Sequence, residues 1–172
     1  MRRFFIALVL AVSGCAGIPE NVTAVSGFDV QRYLGTWYEI ARLDHSFERG
    51  LSDVTATYSL REDGALRVIN KGFNKLSGEW DKAEGKAWFV GAHDVGRLKV
   101  SFFGPFYGGY NIIALDKENY SWSLVCGPDR SYLWILAREK QLDKATIDQL
   151  LDKARQAGFA VEQLIFVDHG GA

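Results

Sequence analysis

Between Thr36 and Arg138 the chain repeats one device: short segments rich in aromatic and β-branched residues, each stopped by a turn signal. Such segments read as antiparallel strands. Eight fall at about 36–43, 53–60, 65–73, 79–90, 97–103, 109–115, 120–127 and 132–138. Asp63-Gly64 marks a tight hairpin, Gly91 to Gly96 a longer turn, Asp116 to Asn119 another, and Gly127-Pro128-Asp129 a third. None of these connections offers a crossover helix. A meander of this number removes its exposed edges by closing on itself. The expected fold is therefore all-β, an eight-stranded antiparallel up-and-down barrel; a β-sandwich, which short, evenly spaced strands also fit, stays open.

After the strands, Ile147, Leu150, Leu151 and Ala154 recur at helical spacing, with Asp143 placed to cap the start and Gly158 where a helix ends. One amphipathic helix against the barrel wall is predicted. Residues 160–167 (AVEQLIFV) have strand character and are expected to add a short final strand, leaving His169 to Ala172 as a loose tail. A length of 172 residues suits one such domain with a sizeable core.

The N-terminus has a different character. Arg2 and Arg3 precede an apolar run, Phe4 to Val12, too short to cross a bilayer as a permanent helix. The following Val12-Ser13-Gly14-Cys15 resembles the bacterial lipobox, in which the cysteine is diacylated on sulfur, exposed by cleavage and then acylated on nitrogen. The expected organisation is a lipoprotein-type signal peptide at 1–14, a lipidated tether at 15–27 and a barrel domain at 28–172. An ordinary secretory signal with an unmodified Cys15 is the alternative. Acyl chains contribute about 0.8 kcal/mol per buried methylene, so several of them anchor a protein almost irreversibly. Ala16 stands where inner-membrane retention usually resembles an aspartate, which favours the outer membrane, with the domain in the periplasm.

Composition excludes several partners. Net charge is −1, and −3 once Arg2 and Arg3 are removed, without the basic excess that phosphate-backbone binding requires, so nucleic acid is not an expected partner. His45, His93 and His169 are scattered and neither Cys15 nor Cys126 belongs to a CxxC pair, so no metal and no cofactor are expected.

Eight strands enclose an interior that side chains nearly fill or that holds one small ligand. If Trp37 faces inward, alternation carries Glu39 and Ala41 inward; Arg138 likewise carries Leu136, Trp134 and Tyr132. Strand directions place Trp37 and Arg138 together at one end, where a guanidinium over the indole could plug the barrel. The other rim then gathers the connections at 44–52, 74–78, 104–108 and 128–131, with Phe106, Tyr107, Arg49, Lys75 and Arg130. An aromatic wall with a partly basic mouth suits an apolar tail inside and an anionic head at the opening. A core simply packed by these aromatics fits the pattern equally.

Gly35-Thr36-Trp37 within RYLGTWYEIAR resembles the lipocalin signature on the first strand; Asp116 matches the aspartate of that family's second motif and Arg138 the arginine of its third. HSFERG (45–50), VSFFGPFYGGYN (100–111) and VCGPDRSYLWILAR (125–138) resemble the bacterial, outer-membrane lipoprotein branch, related to apolipoprotein D. The resemblance covers Phe28 to about Val167. It implies a lipocalin calyx that binds fatty acids or lysophospholipids, for lipid storage or transport in envelope maintenance under stress, without catalysis. By motif, Gly35, Trp37, Asp116 and Arg138 are structural, and Trp134, Tyr107 and Phe106 belong at the cavity or its mouth. Strand parity and rim position add Glu39, Tyr110, Tyr132, Leu136, Arg130 and Arg49 as ligand contacts. The second motif departs from the family's Thr-Asp-Tyr, reading Leu115-Asp116-Lys117.

Two other classes stay open. Some barrels of this kind isomerise lipids with a cavity thiol, which makes Cys126 a candidate nucleophile, although a buried cysteine is usually inert. Alternatively the cavity is vestigial and the aromatics of FFGPFYGG serve a partner, a homodimer included. Haem ligation by His45 is a further possibility.

Overall fold

A computed structural model describes residues 17–170. Cys15 and the signal segment lie outside them. The chain enters as a short helix α1 (Val30–Tyr33), then β1 (Gly35–Arg42), β2 (Leu51–Leu60), β3 (Leu66–Asn74), β4 (Glu79–Phe89), β5 (Arg97–Phe103), β6 (Phe106–Leu115), β7 (Trp122–Cys126) and β8 (Leu133–Ala137). Helix α2 (Lys144–Gln156), a 3-10 turn at Val161–Gln163 and β9 (Ile165–Phe166) follow. Every neighbouring pair is antiparallel, and β1 pairs with both β8 and β2, from Gly35↔Tyr58 to Tyr38↔Thr55, so the eight strands close into a barrel. Closure removes the open edges that a sandwich would keep.

Two apolar clusters divide the body. The inner one holds Phe28, Tyr33, Trp37, Tyr58, Leu66, Val68, Leu98 and Leu136. The outer one packs Ile40, Ala41, Leu124, Cys126, Leu133 and Ile135 of the wall against Leu150 and Ala154 of α2. Asp143 caps α2 by accepting from the Thr146 amide at 2.9 Å, and Gly158 takes a left-handed φ of +84° just past its end.

The structure adds detail to the sequence reading in three places. The strand expected over 160–167 shrinks to Ile165–Phe166, which pairs with Ala41 and Arg42 where β1 has parted from β2. The tail is not loose at its start: His169 Nε2 lies 2.7 Å from the Glu39 carbonyl and its ring meets Tyr38 edge-on. The largest change concerns the expected tether. From Gly17 onward the chain lies against the barrel. The Gly17 carbonyl accepts from Asn111 Nδ2 at 3.0 Å, the Val25 amide donates to Ile112 at 2.9 Å, and the Phe28 amide donates to Asp94 at 2.8 Å. A Cβ on Gly109 would come within 2.4 Å of the Gly17 carbonyl, so only glycine permits this approach. The segment from Gly17 to Gly27, expected as a tether, is thus held on the barrel by backbone contacts.

Candidate functional site

One end of the barrel is plugged. The Trp37 indole donates to the Tyr33 carbonyl at 2.8 Å, holding α1 across the opening. The Arg138 guanidinium lies 3.9 Å from the Trp37 ring centroid and donates to the carbonyls of Thr36, Arg32 and Leu34 at 2.8 to 2.9 Å. Gly35 has φ +94°, and a Cβ there would stand 3.4 Å from the Arg138 guanidinium. The Asp116 carboxylate accepts from the Glu118, Asn119 and Ser121 amides and holds the turn between β6 and β7. That turn starts β7 two residues later than the alternating pattern suggested.

Above the plug lies a cavity lined chiefly by apolar and aromatic groups, among them Phe28, Tyr58, Leu98, Val100, Phe102 and Trp134. Its volume, mouth included, is about 840 Å³. An apolar cavity closed at one end suits the acyl chain of a lipid. At its base the hydroxyls of Tyr33 and Tyr58 each bond that of Tyr110 at 2.8 Å, and Tyr33 reaches Ser123 at 3.2 Å. Burial pushes the Tyr33 hydroxyl up to about 12 and those of Tyr58 and Tyr110 well above their ordinary value, so this polar knot stays neutral and offers no charge to a ligand tail.

Toward the mouth the chemistry changes. Glu39 and Glu48 line the cavity together with Phe47. Glu48 accepts from the Trp134 indole at 3.0 Å, His45 Nε2 lies 2.8 Å from the same carboxylate oxygen, and His45 stacks on Phe47 at 3.9 Å between centroids. Tyr132 stacks on Phe47 and Trp134. Arg42 donates to Glu39 at 2.8 Å and to the Glu48 carbonyl at 2.8 Å, tying the 43–50 loop to the wall. Burial, helped by the neighbouring Glu48 charge, pushes the Glu39 carboxyl well above its ordinary range although Arg42 opposes this.

Of the residues named from sequence, Trp134, Leu136, Tyr110 and Glu39 line the cavity, and Tyr132 stands in the aromatic group at its mouth. Phe106 is exposed at the rim, outside the lining. Tyr107 packs on Trp88 and below Lys99 on the outer face, because the inward Tyr110 fixes its parity outward. The basic mouth is not formed. Arg49 forks onto Asp44, with contacts of 2.7 to 3.2 Å. Lys75 pairs with Asp168 at 3.0 Å. Arg130 turns away to the carbonyls of Ala157 and Glu20, at 2.9 and 2.7 Å, closing the C-terminus of α2 and holding the entering segment. Ala41 also departs from its expected inward position. A register shift between Glu39 and Ala41 puts it in the outer cluster and brings Arg42 against Glu39; an extra residue in a strand reverses the parity beyond it.

Sequence reasoning missed Glu48, Phe47, Arg42 and Tyr58. HSFERG marked the loop but not its fold over the mouth, and Tyr58 was readable only by carrying parity from Trp37 across the pair Trp37↔Ala56. His45 is buried within the aromatic group rather than presented for axial ligation. Cys126 faces α2 in the outer cluster, away from the lining, and burial pushes its thiol up to about 12. Among the described residues no cluster of potential metal ligands occurs.

A family model described as a lipocalin-like domain matches residues 28–169. The chain is 50% identical over 168 residues to a protein named outer membrane lipoprotein Blc from Vibrio cholerae, covering 97% of this chain and 98% of that one. It is 35% identical over 147 residues to apolipoprotein D from Bos taurus, covering 82% and 77% respectively. Among solved structures, insecticyanin from the tobacco hornworm Manduca sexta superposes with a TM-score of 0.70 at 22% identity, over 88% of this chain and 86% of that one, a likeness of fold.

Proposed function

Since this chain belongs to the lipocalin-like family, we propose that it is an outer-membrane lipoprotein, acylated at Cys15, that carries one fatty acid or lysophospholipid in its barrel. The observation that carries this reading is the cavity itself, sealed at the Trp37–Arg138 end, lined chiefly by apolar and aromatic groups, with the hydroxyls of Tyr33, Tyr58 and Tyr110 at its base and Glu39 and Glu48 toward its mouth. Such a gradient takes an acyl tail downward and leaves the head group near Glu48 and Trp134. The relatives named outer membrane lipoprotein support the anchor and its location. Binding rather than catalysis accounts for the site, because Glu39 and Glu48 are engaged by Arg42 and Trp134, and Cys126 lies outside the lining. The role in storing or moving such lipids for envelope maintenance under stress is the part of this proposal that rests on the family resemblance.

The test is a titration of the chain from Ala16 onward with a lysophospholipid and with a fatty acid, following tryptophan fluorescence; Trp134 reports from the cavity wall. A saturable change is expected for both. A flat response to both, with circular dichroism confirming the fold, would mean a filled barrel and overturn the reading.

A further inference from the structure

The direction in which the entering segment runs fixes how the barrel meets a membrane. Phe28 belongs to the plugged end, where it packs with Tyr33, and Ser26 bridges Val95 in the turn between β4 and β5. Followed backward, Val25 meets Ile112 and Gly17 meets Asn111 and Gly109 of β6, near Pro128 of the loop joining β7 to β8. Residues 27 to 17 therefore climb the outer wall from the plugged end toward the open rim, as far as the loop joining β7 to β8. Cys15 stands two residues before Gly17, and two extended residues reach at most about 7 Å. Arg130 clamps Glu20 from the same rim loop, so the ascent is held in place.

The open rim is also where the exposed apolar side chains gather. Phe47 lies in the loop after β1, Leu76 at the tip between β3 and β4, and Phe103 and Phe106 flank the tip between β5 and β6; they are 60%, 95%, 78% and 77% exposed. Just below, on the outer wall, Trp80 and Tyr107 carry Lys71 and Lys99 over their rings, the pairing of aromatic body and cationic tip that suits a bilayer interface. The rim cations Arg49 and Lys75 are already paired with carboxylates. The plugged end presents Glu62, Asp63, Asp94, Lys117 and Glu118 to solvent instead, with Leu60 its one exposed large apolar group among the described residues.

We propose that the open end of the barrel lies face down on the lipid bilayer, with Phe47, Leu76, Phe103 and Phe106 set into its headgroup and acyl boundary. This rests on the acylation of Cys15 proposed above. The absence of slack between Cys15 and the docked Gly17 forces the rim into the surface, and an acyl chain then passes between bilayer and cavity without crossing bulk water.

The experiment uses the full, acylated chain in phosphatidylethanolamine and phosphatidylglycerol vesicles, with single thiols introduced by Leu76→Cys or Phe106→Cys at the rim and Glu62→Cys at the plugged end. All three positions are exposed, and Cys126 is buried, so the new thiol is the reactive one. With a membrane-impermeant maleimide, the rim thiols are expected to lose their labelling in vesicles and regain it in detergent, while Glu62→Cys labels in both. Rim thiols that label in floating vesicles as fast as Glu62→Cys would overturn the orientation and leave the anchor standing. Failure of the chain to float with vesicles would overturn the anchor itself and the inference with it. Protection that persists in detergent and grows with protein concentration would place a second copy on the rim and overturn the membrane contact.

Discussion

The Glu48 carboxylate accepts the indole N–H of Trp134 at 3.0 Å, across 86 residues of sequence, and so fastens the loop after β1 to the last strand at the mouth of the cavity. The bond places a carboxylate where the sequence suggested arginines. With Arg49 and Lys75 paired to Asp44 and Asp168, the titratable groups left at the mouth are Glu48 and the Glu39–Arg42 pair, not free arginines. Head groups with a cationic moiety should fit it better than bare carboxylates.

Replacing Glu48 by Gln keeps an oxygen for the Trp134 indole and removes the charge. Like charges a few ångströms apart at a partly wet mouth repel by about 1 to 4 kcal/mol. Fatty-acid affinity should therefore rise about tenfold or more, while that for lysophosphatidylethanolamine changes less or falls. Fluorescence titration of both ligands checks this, and an equal change for both would reject an electrostatic role.

Arg49→Ala and Arg130→Ala are expected to leave fatty-acid affinity unchanged, since one guanidinium is spent on Asp44 and the other faces α2. Arg130→Ala should lower Tm instead, by freeing the Ala157 and Glu20 carbonyls. A selective loss of anionic ligands in either variant would restore the basic mouth.

At the plugged end, Arg138→Ala removes the stacking on Trp37 together with donors to the Thr36, Arg32 and Leu34 carbonyls. A loss of about 2 to 4 kcal/mol in urea unfolding is expected. Arg138→Lys should recover only part of it, because an ammonium cannot reproduce the planar fork.

Burial raises the Glu39 carboxyl well above 4.5, its ordinary value, so the folded chain holds this proton more tightly than the unfolded one. The stabilisation that Glu39 contributes is therefore full below 4.5 and is lost as pH rises through the folded-state pKa. Glu39→Gln is neutral throughout. Unfolding free energies compared from below 4.5 up to neutral pH should show the wild type losing ground to the variant; parallel curves would mean that Arg42 holds Glu39 charged.

The Cys126 thiol, buried against α2 and pushed up to about 12 by that burial, should resist iodoacetamide at neutral pH until the fold is opened by denaturant. Rapid labelling of the native chain, blocked by lipid, would return a thiol-based enzyme to consideration.

Local chemistry made much of the fold legible. Alternating apolar residues and the turn residues at 63–64, 91–96 and 116–119 act over a few positions, so the eight strands and their antiparallel order could be read directly. The Asp143 cap and the apolar spacing of α2 are equally local. The parity argument held along β8 and failed on β1, where one register shift turned Ala41 outward and Arg42 toward Glu39. A single extra residue leaves the composition of a strand unchanged, which is why no pattern announces it.

By itself the sequence determined that the chain closes an antiparallel barrel with one helix outside and Trp37 and Arg138 at the same end, because alternation and strand direction are properties of neighbouring residues. Only the tertiary structure decided which charges face the ligand and where the entering segment lies. Those outcomes depend on partners far apart in the chain, Lys75 with Asp168 and Gly17 with Asn111, whose pairing exists only once the barrel has brought them together. The same long-range placement lays the segment from Gly17 to Phe28 along the barrel wall, where the sequence had suggested a tether.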